Sequence, residues 1–361
     1  MYRKIMGFLE AWKENEHRKP LILQGARQVG KTYSILEFGR THYENVAYFN
    51  FETNPKLNET FEEKISPDYL IPILSHIAGQ TIVKEKTLIV FDEVQLCERA
   101  LTSLKYFCED APDYHIIVAG SLLGVAVNRA KFSFPVGKVD MKTLYPMDME
   151  EFMIAMGEDE LVEQIKKCFE TNRPMPSALH DAAMQLYRQY LVVGGMPECV
   201  MQFVQTGDYI LIRHTQDTIL TSYLNDMSKY NNLNEIKKTR LAYDNITVQL
   251  SKKNTRFQYK LIKKGGRASE FENAIEWLCL SGIASQVYRV EQIKKPLENY
   301  RDIDAFKIYV SDLGLLCAKK DLAANDILYM VEELNDFKGG MTENYVNVQL
   351  AINGYNTYYW E

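Results

Sequence analysis

The stretch Leu21–Leu36, LILQGARQVGKTYSIL, decides how the rest of the chain is read. LILQG is a short β-rich run, and YSIL opens helical spacing. Between them GARQVGKT (Gly25–Thr32) satisfies G-x-x-x-x-G-K-T, the pattern of a phosphate-binding loop. Glycines at its ends let the backbone curl so that successive N–H groups point inward at phosphate oxygens. A helix starting near Lys31 adds the positive end of its dipole. Lys31 brings an ammonium for the β- and γ-phosphates, and Thr32 a hydroxyl for Mg²⁺. The expected phosphate-facing set is Gly25, Ala26, Arg27, Gln28, Val29, Gly30, Lys31, Thr32 and Tyr33. A chance glycine turn would not follow a strand and open a helix as this one does.

Further along, TLIVFDEVQ (Thr87–Gln95) supplies a partner for the loop. An apolar run delivers Asp92 and Glu93 to a strand end, which a parallel sheet places beside the loop. Asp92 suits a Mg²⁺ ion through its water shell, because Mg²⁺ gives up water reluctantly. Glu93 suits a general base that polarises an attacking water. A third run, HIIVAGS (His115–Ser121), ends in Ser121, whose hydroxyl either senses the γ-phosphate or simply terminates a strand.

These strand candidates, with Val46–Glu52, are near-continuous apolar runs separated by helix-like segments such as Tyr33–Arg40 and Arg99–Asp110. The pattern predicts a doubly wound parallel α/β domain with its ligand at the carboxyl ends of the strands. Val46–Glu52 comes between the loop strand and the Asp-Glu strand. An inserted strand plus an adjacent glutamate suits the branch of phosphate-loop proteins that hydrolyses nucleotides, by fold-level analogy. From about Met147 the spacing turns helical, broken by GGMPE (Gly194–Glu198), and predicts a helical subdomain over 147–232. Beyond it come a helix from Leu233, a helix over ASEFENAIEWLCLSG capped by Ser269, and strands at ASQVYRV and FKIYVSD. Helices followed by short strands suit a winged-helix arrangement. A helical TENYVNVQLAIN and a strand at TYYWE close the sequence, and stopping midway into an aromatic strand predicts a truncated fold.

Composition narrows the options. An apolar fraction of 46% with 25% charged residues argues against disorder. No apolar run or leader suggests a membrane span or a secreted protein, so a cytoplasmic protein is expected. Six scattered cysteines without a C-x-x-C pair suit reduced thiols. Net charge is −6, yet Lys237, Lys238, Arg240, Lys252, Lys253, Arg256, Lys260, Lys263, Lys264 and Arg267 face one acid, Asp244, within their stretch. That stretch suits DNA phosphates, an acidic partner protein, or plain solvation.

The chain resembles bacterial and archaeal ATP-binding proteins of the AAA-14 type that carry a DUF4143 C-terminal region. The likeness rests on GARQVGKT, LIVFDEVQ, AGSLLG, LYPMDMEEF (Leu144–Phe152), YLVVGGMPE (Tyr190–Glu198), IYVSDLGLL (Ile308–Leu316) and TENYVNVQL (Thr342–Leu350). It implies ATP and Mg²⁺ as ligands and an AAA+-like P-loop core over 1–146. It further implies a helical lid over 147–232, a winged-helix-like α+β region over 233–325, and the start of a restriction-endonuclease-like domain over 326–361. Glu343 matches the helix glutamate of that last fold, but the sequence stops at Glu361 before E-V-D-F and E-x-K segments, so a complete nuclease centre is not expected. Where relatives show Gly-Arg, this chain has Gly137-Lys138, which lacks the planar guanidinium fork of a charge stabiliser. Hydrolysis that moves the lid and winged-helix region is the first expectation, and an ATP-gated DNA- or protein-binding switch the second. A small-molecule kinase is disfavoured, since no acceptor-site motif or arginine-rich lid is visible.

Overall fold

The computed structural model describes residues 1–120, 134–229, 233–250 and 256–361. The chain divides into two compact units, Arg3–Leu144 and Tyr145–Glu361, the latter joined by Met1 and Tyr2.

In the first unit the apolar runs become strands β1 (Leu21–Gln24), β2 (Asn45–Asn50), β3 (Thr87–Asp92) and β4 (His115–Gly120). A fifth, β5 (Asp140–Thr143), completes a parallel sheet of order β2-β3-β4-β1-β5. Around it lie helices α1 (Ile5–Glu14), α2 (Lys31–His42), α3 (Leu57–Glu63), α4 (Pro67–Ala78) and α5 (Glu98–Asp110). This order corrects one expectation. The strand inserted between the loop strand and the Asp-Glu strand is β4, whereas Val46–Glu52 forms the edge strand β2 outside β3. The physical reason lies in the side chains. HIIVAG is buried at every position and suits a central strand, whereas Tyr48 on β2 remains exposed. The edge strand β5, DMKT, has no fully buried residue and therefore no apolar signature. One face of the sheet is closed by an aromatic cluster of Phe49, Phe51, Phe61 and Phe91, with tilted or edge-to-face rings 5.6–5.9 Å apart.

The second unit begins with helices α6 (Met149–Ala155), α7 (Asp159–Glu170), α8 (Ser177–Val193), α9 (Pro197–Thr206) and α10 (Tyr209–Lys229). Next come α11 (Leu233–Leu250) and α12 (Ala268–Leu280) and the antiparallel pair β6 (Ala284–Val290) and β7 (Arg301–Val310). Then follow α13 (Leu313–Lys319), α14 (Ala324–Leu328), α15 (Asn335–Ile352) and a short β8 (Tyr358–Tyr359) parallel to β6. The predicted stripe Phe271, Ala274, Ile275 and Leu278 is buried along α12. Ser269 is not its cap: the helix starts at Ala268, with Arg267 in the capping position and no side-chain cap. All six cysteines are free thiols, and no described helix is long and apolar enough to cross a membrane.

The motifs of this unit converge on one buried polar hub. Asp312, at the head of α13, accepts the Leu315 amide on Oδ1 at 2.9 Å and the Gly195 amide on Oδ2 at 2.6 Å. Gly195 in turn accepts the Met147 amide at 2.7 Å, and Tyr190 donates to the Met147 carbonyl at 2.7 Å. Only glycine fits at 195, because a Cβ there would sit 2.0 Å from the Met147 carbonyl oxygen. Gln349 on α15 donates to Tyr190 and accepts the Met149 amide. Asn344 bonds both the N–H and the C=O of Val310. LYPMDMEEF, GGMPE, SDLGLL and TENYVNVQL thus meet as a scaffold of satisfied buried groups.

Burial lifts the Asp312 carboxyl to about 6, although the surrounding amides favour its charged form. An unfolded aspartate titrates near ~3.9. With the folded value the higher one, this group's contribution to stability is fully present below about pH 4 and is lost as pH rises through about 6. Asp312→Asn should remove that part of the pH slope in denaturant unfolding. It should also destabilise the unit by about 1–3 kcal/mol, because the NH₂ of the amide must face one of the two backbone N–H groups.

Candidate nucleotide-binding site

All five strands of the first unit run the same way, so their carboxyl ends share one edge. The registers set Gln24 opposite both Gly120 and Thr143, and Asn50 opposite Asp92. The loop Gly25–Gly30 leaves β1 at this edge and enters α2 at Lys31. Its curl is carried by positive φ at Gly25 (148°), Gln28 (65°) and Gly30 (90°). Gly25 is required for a second reason. The chain after β5 passes so closely that a Cβ at 25 would lie 2.1 Å from the Leu144 carbonyl oxygen. The Leu144 amide donates to Gln24 O at 2.7 Å, and the Gln24 amide side chain donates to Thr143 Oγ1 at 3.1 Å. Val29 and Ala26 are buried within the loop, while Tyr33 is exposed on the first turn of α2.

Lys31 is itself buried, and its ammonium donates to the carbonyls of Gly25 (2.9 Å) and Ala26 (2.7 Å). The next residue makes the decisive contact: Thr32 Oγ1 donates to Asp92 Oδ2 at 2.9 Å. With β4 between them, β1 and β3 are about 10 Å apart, and the Thr32 side chain, on the first turn of α2, joins the two motifs. Asp92 is 4% exposed and accepts on both oxygens. Its Oδ2 also accepts from the Tyr48 hydroxyl at 2.7 Å, and its Oδ1 accepts the Glu93 amide at 3.0 Å. Glu93 follows in a left-handed conformation (φ 53°), and its Oε2 accepts from Gln95 Nε2 at 2.5 Å. The structure therefore brings Gly25–Thr32, Asp92 and Glu93 to one edge of the sheet. Ser121 lies outside the described residues.

Three residues at this edge carry no signal in the loop motif. Arg3 donates through Nη1 to the Val29 carbonyl at 3.0 Å and braces the loop from the N-terminal segment. Tyr48 comes from β2. Gln95 sits within the quoted FDEVQ, and its spacing from Glu93, two residues on, was the available clue.

Lys138 is not among these residues. It precedes β5, whose first residue, Asp140, pairs with Leu21 at the start of β1. The length of β5, about 13 Å of strand, separates it from the loop-side edge at Leu144. Its ammonium pairs instead with Glu109 at the end of α5, 2.9 Å away. A charge stabiliser for this chain's own loop cannot act from there. The basic stretch spans two elements that touch, since Asn245 of α11 donates to the Leu261 carbonyl. Lys237, Lys238 and Arg240 lie on α11, with Lys238 paired to Glu235. Lys260, Lys263, Lys264 and Arg267 lie ahead of α12, with Lys263 near Glu270. Lys252 and Lys253 fall outside the described residues. Glu343 lies on α15, ion-paired with Lys307 at 2.5 Å.

Comparisons agree with this geometry. Residues 17–153 match the sequence family AAA_14, described as an AAA domain. The Walker-type ATPase paby2304 of Pyrococcus abyssi superposes with a TM-score of 0.54 at 14% identity, covering 88% of this chain and 95% of that one. The Aeropyrum pernix ORC2 protein aligns with a TM-score of 0.40 at 11% identity, over 97% of this chain and 95% of that one. For the Thermotoga maritima RuvB Holliday junction branch migration motor the values are 0.34 and 14%, over 80% and 88%. The unit Arg3–Leu144 thus has a P-loop NTPase α/β fold. Residues 184–326 match a second family, DUF8612, described as a domain of unknown function, where the resemblance implied DUF4143. No curated protein matches the chain.

Gly25→Ala tests the fit of the loop. The clash with Leu144 and the positive φ should together lower the thermal midpoint and weaken nucleotide binding, read by calorimetry, at least tenfold.

Proposed function

We propose that the chain is a Mg²⁺-dependent ATPase. The observation that carries this reading is the 2.9 Å hydrogen bond from Thr32 to Asp92, which couples the phosphate loop to the acidic strand end. The residues present fit the nucleotide and its metal: a curled loop of backbone donors, a buried lysine, a hydroxyl and a carboxylate joined at one point. Lys31 would move its ammonium from the loop carbonyls to the β- and γ-phosphates. Thr32 and Asp92 would hold Mg²⁺, which when bound neutralises phosphate charge. Glu93, held by Gln95, would take the proton from the attacking water. Ser121 is proposed as the γ-phosphate sensor.

Within the second unit we propose a lid over 147–232, a winged-helix-like region over 233–325 and the start of a nuclease-like domain over 326–361, moved by the nucleotide cycle. Several features support the winged-helix assignment. They are the succession of α11, a 3₁₀ turn at Tyr259–Leu261, α12 and the β6–β7 hairpin, with the Phe257 amide donating to Phe306 O at 2.7 Å. A DNA contact, if made, would use the basic turn Lys260–Arg267. A second reading, an ATP-gated switch with slow hydrolysis that binds a protein, is favoured by α12 itself. Its outward residues include Glu272 and Glu276, which repel phosphates.

Nucleotide binding and phosphate release, measured separately with and without DNA, test both. Lys31→Ala should abolish binding. Glu93→Gln should retain binding and slow turnover by about 10²–10⁴-fold; unchanged turnover would remove Glu93 from its role. Lys138→Arg should leave turnover unchanged, since it lies at the other end of the sheet.

A further inference from the structure

Asp92 receives one donor that the phosphate-loop pattern does not supply. Tyr48 projects from the edge strand β2 on the same face as Asn50, and Asn50 pairs in register with Asp92. Its hydroxyl donates to Asp92 Oδ2 at 2.7 Å, shorter than the Thr32 bond to the same oxygen. The hydroxyl is itself oriented, since Asn50 Nδ2 donates to it at 3.1 Å while Asn50 Oδ1 accepts the amides of Glu52 and Thr53. A phenol is protonated at neutral pH, so it remains a donor there.

The lone pairs of Asp92 can now be assigned. Oδ2 accepts from Thr32 and Tyr48, which fills it. Oδ1 accepts only the Glu93 amide among the hydrogen bonds described, and keeps a lone pair. A threonine hydroxyl can offer a lone pair to a metal while its proton stays on a carboxylate, so the Thr32 bond need not break when a cation binds.

We infer that Tyr48 is a positioning residue that locks Oδ2 of Asp92 and so presents Oδ1 to the water shell of a Mg²⁺ ion bound with the nucleotide. This inference rests on Gly25–Thr32 being a nucleotide site. Without the phenol, Oδ2 is held by Thr32 alone, and the carboxylate loses one of the three hydrogen bonds that fix its rotation about the Cβ–Cγ bond. The loss falls on metal-dependent binding and not on the phosphate loop itself.

The test is calorimetric titration of the full chain with a non-hydrolysable ATP analogue, in Mg²⁺ and in EDTA, for wild type, Tyr48→Phe, Asp92→Asn and the double variant. Tyr48→Phe should keep the affinity seen in EDTA and lose about tenfold of the gain that Mg²⁺ brings, in keeping with removal of a charge-assisted hydrogen bond. In the Asp92→Asn background it should have no further effect, because the phenol acts through that carboxylate. A wild-type protein that binds no analogue overturns both the nucleotide site and this inference. A wild type that binds, paired with a Tyr48→Phe protein whose Mg²⁺ gain is unchanged or whose effect adds to that of Asp92→Asn, overturns the role of Tyr48 alone. Equal losses in Mg²⁺ and EDTA would mark Tyr48 as merely structural and likewise overturn it.

Discussion

The hydrogen bond from Thr32 to Asp92 is the constraint on which the first unit's chemistry depends. Each residue ends a different element, one opening α2 and the other closing β3, and a central strand separates the strands they follow. The bond forms only if the sheet is parallel, the strand ends are level and the loop turns back over the edge. Its presence means those conditions are met together. Partly buried and charge-assisted, it belongs to the stronger class of hydrogen bonds, and breaking it would leave a buried carboxylate one donor short.

Around that bond, polar groups are satisfied in layers. Tyr48 and the Glu93 amide complete Asp92, Gln95 holds Glu93, and Arg3 ties down the loop at Val29. A site arranged in this way is preorganised: groups that would meet a nucleotide are already fixed by neighbours that would not. The second unit applies the same principle. Asp312, Tyr190, Gln349 and Asn344 bond backbone groups from several segments, so the family-like motifs there hold its fold together.

Legibility followed burial and periodicity. The central strands were plain as apolar runs because both their faces are covered. β5 was invisible because DMKT lies at an edge with no fully buried side chain. β2 was found, yet its place was misjudged, since order along the chain does not state order in a sheet. The cap of α12 was misjudged by position, because Ser269 is a plausible cap by type and the helix nevertheless starts before it. Lys138 is close in sequence to the family-like motifs, whereas it precedes β5 and pairs with Glu109 at the opposite end of that strand from the loop. The basic stretch is shared between a helix and a turn that hydrogen-bond to each other, a proximity that sequence spacing does not state.

By itself the sequence determined the parallel α/β class, the phosphate loop and the acidic strand end. Each of these is written in local features: a run of apolar residues, a spacing of glycines, a lysine beside a threonine. Only the tertiary structure decided which strand separates the two motifs and that Thr32 reaches Asp92. It alone brings Tyr48, Gln95 and Arg3 into hydrogen-bond contact with this edge and pairs Lys138 with Glu109 away from it. Those facts depend on which elements become neighbours after crossovers and on angles at strand ends, and no local pattern of residues encodes either.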